Sequence, residues 1–219
     1  MDAFLDKAKN IDTIEGASAL LWEQLPSPLP ATTKALELSH EAHKEQIRKS
    51  GEPYIVHPIL VAAITAKISN DEMMVQAALL HDVVEDTSAT IEEMEREFGY
   101  DVAHMVEGLT KIVEIRDEEL VPSGSDERLI NSALTFRKML IASIKDVRVL
   151  VIKLCDRLHN MITLDALSLE KQKRISEETL VVYAPIAHRL GISRLKNHLE
   201  DLSFRYIYPD DYKSIDTYM

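Results

Sequence analysis

The chain has 219 residues, a length that suits one large domain or one domain with appendages. Hydrophobic residues make up 46% but aromatics only 5%, so the core must be aliphatic, and with 6 Gly and 8 Pro the composition favours helices joined by short loops. A net charge of −12, from 25 Lys plus Arg against 37 Asp plus Glu, disfavours broad contact with a nucleic-acid backbone, yet it leaves room for a small phosphorylated ligand where basic residues and a metal are focused in one cleft.

The chain has no apolar run long enough to span a membrane, and Met1-Asp2-Ala3-Phe4-Leu5-Asp6 lacks the basic-then-apolar order of a signal peptide. The single cysteine, Cys155, excludes an internal disulfide and makes a reducing cytoplasm the expected setting; it is read as packing.

In chain order, residues 1–26 read as a helix with a patchy apolar stripe, ended by Pro26-Ser27-Pro28-Leu29-Pro30 and set apart as a lid or packing arm. A second helix is expected from Ala31 to Arg48; its His40 and His43 are read as surface or interface positions. Gly51 and Pro53 mark a turn, and Pro58 suits the first turn of a helix over 58–69, holding His57 extended at its mouth. Arg48 and Lys49 beside that turn could hold phosphate or stack on a base.

A helix from Asp71 to Asp86 follows, capped by Asn70 or Asp71, then one opened by the capping box Thr90-Ile91-Glu92-Glu93 and closed by Gly99. A helix from Asp101 to Ile115, an acidic loop over Glu114–Glu127 and a helix over Asp126–Ser143 come next. The most apolar helix, Val147–Leu164, is capped by Asp146 and is expected to cross the interior, with Lys153, Asp156, Asn160 and Thr163 in a polar line on one face. Helices over 170–190, kinked at Pro185 and stopped at Gly191, and over Ser193–Arg205 complete the chain.

The chemistry centres on Leu80-His81-Asp82-Val83-Val84-Glu85-Asp86-Thr87. On one continuous helix His81 would lie over Glu85 and Asp82 over Asp86, crowding an imidazole and three carboxylates into about a turn and a half. A divalent cation would remove the repulsion that such crowding and burial create. His57 and Asp156 offer further donors from separate segments. Two imidazoles and two carboxylates without thiolate suit Mn²⁺, Fe²⁺ or Zn²⁺, provided the helices converge. Glu85 and Asp86, just beyond these donors, suit general-base work.

The H…HD…D order resembles the HD superfamily of metal-dependent phosphohydrolases. Arg48-Lys49-Ser50-Gly51-Glu52-Pro53-Tyr54-Ile55-Val56-His57-Pro58, the His81–Thr87 stretch and Asp156-Arg157-Leu158-His159-Asn160-Met161 resemble the hydrolase domain of the bifunctional Rel/SpoT alarmone enzymes. Tyr183–Gly191 and Glu200–Phe204 are similar to the segment leading into their synthetase domain.

The resemblance implies an all-α, multi-helix HD fold divided as an arm (1–29), a hydrolase domain (30–192) and a helical linker (193–219) toward a synthetase domain. It implies Mn²⁺-dependent hydrolysis of ppGpp and pppGpp to GDP or GTP plus pyrophosphate. His57, His81, Asp82 and Asp156 would be metal ligands, Glu85 and Asp86 would deprotonate the attacking water, and Arg48, Lys49, Asn160 and Thr163 would contact the nucleotide. Ile162 departs from the pattern, since relatives often carry Arg there. Another nucleotide substrate (a dNTP, NADPH or a cyclic nucleotide) and a regulatory domain that binds alarmone without cleaving it are the competing readings; synthetase and regulatory domains are the partners expected in a full-length chain.

Overall fold

Apolar residues recur at helical spacing through most of the chain, and in the computed structural model they form an all-α protein. The structure describes residues 1–118, 133, 134, 136, 137, 139, 141 and 146–216. Among them run α1 (Asp2–Lys9), α2 (Ile14–Gln24), α3 (Pro30–Ala42), α4 (Val56–Ile68), α5 (Glu72–Leu80), α6 (Val83–Asp86), α7 (Ile91–Phe98) and α8 (Tyr100–Glu118). The second half holds α9 (Val147–Ile162), α10 (Leu169–Glu178), α11 (Ala184–Arg189), α12 (Ser193–Ile207) and α13 (Pro209–Asp216). A π-helical turn, Thr179–Tyr183, joins α10 to α11 just before Pro185, whose missing N–H prevents the regular ladder from continuing. The one β-type pairing among the described residues is an antiparallel bridge between Ile47 and Pro53.

The deepest element is α4, in which every residue from Val56 to Ala66 is buried. A helix apolar on all sides must be surrounded, and α2, α5 and α9 pack around this one. Alongside it, α9 buries Leu150, Ile152, Leu154, Leu158 and Met161. Gly108 on α8 permits the close approach of α9, because a Cβ at that position would lie 2.9 Å from Val149 Cγ2.

The local start and stop signals act as expected at several ends. Asp71 caps α5 by accepting from Met73 N–H, Thr90 and Glu93 form the full capping box of α7, and Gly99 ends it at φ +85°. Asp146 caps α9 by accepting from Arg148 N–H at 2.9 Å, while the Arg148 guanidinium reaches Asp146, Asp101 and Asp71. Asp146→Ala is expected to lower stability by about 1 kcal/mol, with Asp146→Asn restoring most of the capping contribution; urea denaturation of the two variants measures the difference.

Other expectations are corrected by the structure. The N-terminal helix is two helices, broken where Thr13 caps α2 by accepting from Gly16 N–H. Its Phe4, Leu5, Ala8, Leu20 and Leu21 belong to the common core, as do Leu195 and Leu199 of α12. The second helix stops at Ala42 instead of Arg48, because residues 46–54 fold back on themselves: Arg48 N–H donates to Glu52 O, Tyr54 N–H to Gln46 O, and Gly51 turns the chain at φ +100°. His43 is buried, its ring tilted 31° to the Tyr54 ring at 4.9 Å, with its Nδ1 2.8 Å from Gln46 Oε1; His40 is exposed. Residues 114–118, expected in the acidic loop, continue α8; the rest of that loop and most of the helix expected over 126–143 lie outside the described residues.

Candidate metal centre

Three elements carry the donors. His57 stands in the first turn of α4, His81 follows the last residue of α5, and Asp156 lies midway along α9. Because α4 packs against both α5 and α9, the three meet at one end of the buried helix. His57 is helical, not extended as the sequence suggested. Pro58 falls inside the first turn, where an N–H has no intrahelical partner, so the proline does not expel its neighbour from the helix. The helix expected over 71–86 is interrupted at His81 and Asp82, although Asp86 N–H still donates to Asp82 O at 2.9 Å.

His57, His81 and Asp82 place ligand atoms within 4.8 Å of one another, and all three are buried. His57 Nε2 is 3.3 Å from Asp156 Oδ1 and 3.8 Å from Asp82 Oδ2; His81 Nε2 is 3.1 Å from Asp82 Oδ1. Donors bound at roughly 2.0–2.2 Å in neighbouring positions around one divalent ion stand about 3 Å apart, which matches this spacing. The protonation pattern favours an ion as well. Ala78 O lies 2.7 Å from His81 Nδ1 and takes its N–H, which in the neutral ring leaves Nε2 as a bare lone pair. That buried atom has no hydrogen-bond partner, yet it faces a carboxylate oxygen. Two lone pairs opposed at this distance are reconciled by a positive charge between them, which a divalent ion or a proton on Nε2 supplies. The donor set therefore fits a divalent metal.

Around the donors lies a second layer of polar groups. Tyr54 Oη donates to Asp82 Oδ2 at 2.9 Å, and burial with the nearby Asp82 and Asp86 charges raises the phenol far above its ordinary value, so it stays a donor. Lys153 Nζ pairs with Asp156 Oδ2 at 2.8 Å; although burial opposes its charge, the Asp156 carboxylate keeps it a cation. Burial would raise the Asp82 and Asp156 carboxyls, but the charges of His81 and His57 hold Asp82 below the usual carboxylate range, and Lys153 with His57 holds Asp156 well below it. Burial lowers the His57 ring. Glu85 behaves oppositely: burial, reinforced by Asp82 and Asp156, outweighs Lys153 and pushes its carboxyl up to about 8.

The centre opens into a cavity of about 480 Å³ whose walls include Arg48, Lys49, Lys153, Arg157, Asn160 and Thr163. Of the residues singled out for the nucleotide, Arg48 NH2 donates to Asn160 Oδ1 at 3.0 Å, and Asn160 Nδ2 donates to Asp156 Oδ1 at 2.6 Å. Asn160 thus ties Asp156 to a basic wall. Lys49 is exposed, and Thr163 Oγ1 donates to His159 O. Glu85 is half-buried beside the donors, whereas Asp86 is exposed.

The sequence reasoning passed over Tyr54, His159, Arg157 and Tyr183. His159 follows Asp156 by three on α9, a spacing that places such pairs on one side of a helix, while Tyr54 lies in the turn that leads into α4, with His57 N–H donating to Tyr54 O. Arg157 pairs with Glu178 at 2.9 Å and lies 3.8 Å over the Tyr183 ring, a contact that no local spacing announces. Among the described residues no helix is long and apolar enough to cross a membrane.

The HD domain profile matches residues 35–193. The chain is 50% identical over 188 residues to a GTP pyrophosphokinase of Myxococcus xanthus, covering 85% of this chain and 24% of that protein. It is 43% identical over 202 residues to the bifunctional (p)ppGpp synthase/hydrolase SpoT of Escherichia coli (strain K12), covering 92% of this chain and 28% of the relative. The chain thus spans about a quarter of the length of these relatives. A solved structure described as a metazoan ortholog of SpoT that hydrolyzes ppGpp superposes with a TM-score of 0.58 at 29% identity, over 82% of this chain and 96% of that one. With a helical fold that gathers His57, the His81-Asp82 pair and Asp156 at one buried point, and with this profile running through all four, the chain belongs to the HD domain family.

Proposed function

We propose that this chain is a Mn²⁺-dependent hydrolase of the 3′-pyrophosphate of ppGpp and pppGpp, with His57, His81, Asp82 and Asp156 as the metal ligands. The observation that carries the reading is the convergence of His57, His81, Asp82 and Asp156, with His81 Nε2 3.1 Å from Asp82 Oδ1 and His57 Nε2 3.3 Å from Asp156 Oδ1, beside a cavity with basic walls. The substrate comes from the relatives, whose names specify guanosine-3′,5′-bis(diphosphate) 3′-pyrophosphohydrolase at 42–48% identity.

A divalent ion in this site supplies Lewis acidity and a water of lowered pKa. The chain's own groups do the rest. Arg48 and Lys49 bind the nucleotide's phosphates or base at the mouth, and Asn160 and Thr163 line its path. Water attacks the phosphorus joined to the ribose 3′ oxygen. The new O–P bond forms as the P–O3′ bond breaks, the ribose oxygen takes up a proton, and the pyrophosphate departs with the water's oxygen. Glu85 accepts the proton from the water in its carboxylate form; with the metal-free carboxyl pushed up to about 8, that form gains as pH rises toward this value, and Asp86 supports it from the exposed side. Lys153 lines the same cavity and offsets charge gathering on the departing group.

Purified protein is expected to convert ppGpp to GDP and pyrophosphate with Mn²⁺ present and to leave dNTPs, NADPH and cyclic nucleotides intact, read by anion-exchange chromatography. Absence of ppGpp cleavage in excess Mn²⁺ overturns the assignment.

A further inference from the structure

His159 is buried on α9 and touches no open part of the cavity's walls, yet two side chains converge on one of its nitrogens. His57 Nδ1 lies 2.8 Å from His159 Nδ1, the rings tilted at 52° with centroids 4.8 Å apart. Arg48 NH1 lies 3.5 Å from the same His159 Nδ1, a long hydrogen bond, while Arg48 NH2 is anchored on Asn160 Oδ1.

The contact between the two Nδ1 atoms holds a single proton, which either ring could own. A guanidinium can only donate, so the approach of Arg48 selects His159 Nδ1 as the acceptor. The proton between the rings then belongs to His57. With Nδ1 protonated, the neutral His57 ring presents a lone pair at Nε2, directed at Asp156 Oδ1 and Asp82 Oδ2. The choice has a cost that is visible in the structure. His159 must carry its own proton on Nε2, and that atom is buried with no partner. Were packing its only role, an apolar residue would serve there at lower cost.

We propose that His159 is a positioning residue for the metal centre: as the hydrogen-bond acceptor of His57, backed by Arg48, it fixes the His57 tautomer and ring orientation that bind a divalent cation. It does for His57 what the Ala78 carbonyl does for His81, so both imidazoles are set by an acceptor behind the ring. The inference rests on the metal-centre reading above and concerns a residue that touches neither the ion nor the nucleotide.

The test compares Mn²⁺ affinity by titration calorimetry in the wild type, His159→Leu, His159→Asn and His159→Gln, with melting curves of the metal-free proteins as the folding control. Leu and Asn have nearly the same shape, and the Asn Oδ1 stands about where the imidazole Nδ1 stood. Gln keeps an amide but carries it one carbon farther, away from His57. Leu and Gln are expected to weaken Mn²⁺ binding by about 10- to 100-fold, with Asn recovering most of the loss. Should the Leu protein fail to fold, the contrast between Asn and Gln still decides. Equal affinity in all four proteins overturns the role of His159, as does an Asn variant as weak as Leu and Gln. A wild type that binds no Mn²⁺ removes the metal centre itself, and the role of His159 with it.

Discussion

Asp82→Asn is expected to abolish Mn²⁺-dependent turnover, with a loss at least as large as the roughly 10²–10³-fold caused by deleting a single electrostatic stabiliser from an active site. Both oxygens of this carboxylate are committed to the centre. Oδ1 faces the bare His81 Nε2 at 3.1 Å, while Oδ2 accepts from Tyr54 Oη and stands 3.8 Å from His57 Nε2. An amide keeps the shape, but it removes the anion and places an N–H where either a metal or the Tyr54 hydroxyl must be met. The metal-free protein should still fold, because the amide keeps the side chain's shape and an oxygen that can accept from Tyr54 Oη. The rise in melting temperature on adding Mn²⁺, which reports binding to the native state, should disappear. Turnover within tenfold of wild type, or an undiminished Mn²⁺ shift, would remove Asp82 from the ligand set.

Glu85→Gln is expected to separate catalysis from metal binding. If Glu85 accepts the proton of the attacking water, its amide should lower kcat by about 10²–10⁴-fold and leave Mn²⁺ affinity near that of wild type. Equal losses in both would make Glu85 a ligand instead. A second readout needs no turnover. Burial raises the Glu85 carboxyl from 4.5 to about 8, so the native protein keeps a proton that the unfolded chain gives up. The stabilisation is complete below the unfolded value and is lost as pH rises toward 8. Metal-free wild type should therefore lose more stability than Glu85→Gln between about pH 5 and 8, measured by chemical denaturation in EDTA. The buried His57 and His159 rings, whose values burial lowers, act in the opposite direction in both proteins and cancel in the comparison.

Short-range information in the chain was sufficient wherever the physics is short-range. Thr90 with Glu93, Asp146 and Gly99 end helices through hydrogen bonds or backbone angles set within a few residues, and each could be read directly; for α5 the sequence left Asn70 and Asp71 open, and Asp71 is the cap. The all-α class followed from apolar spacing and scarce glycine in the same way. Local rules misled where packing overrode them. Pro58 suggested an extended His57, but α4 begins early enough to hold both, and His43 was drawn inward by the Tyr54 ring. The break of the α5 ladder at His81 was likewise invisible in a pattern whose apolar residues continue through Val83 and Val84.

From the sequence alone came an inventory of candidate metal donors and bases, His57, His81, Asp82, Asp156, Glu85 and Asp86, together with the helices that carry them. Tertiary structure alone decided that α4, α5 and α9 meet, that Tyr54 stands on Asp82 and that His159 stands behind His57. Helical periodicity states which side of a helix a residue occupies, but not which other helix that side will face. That choice belongs to the close packing of Val56–Ala66 among its neighbours, a property of the whole core and of no single stretch.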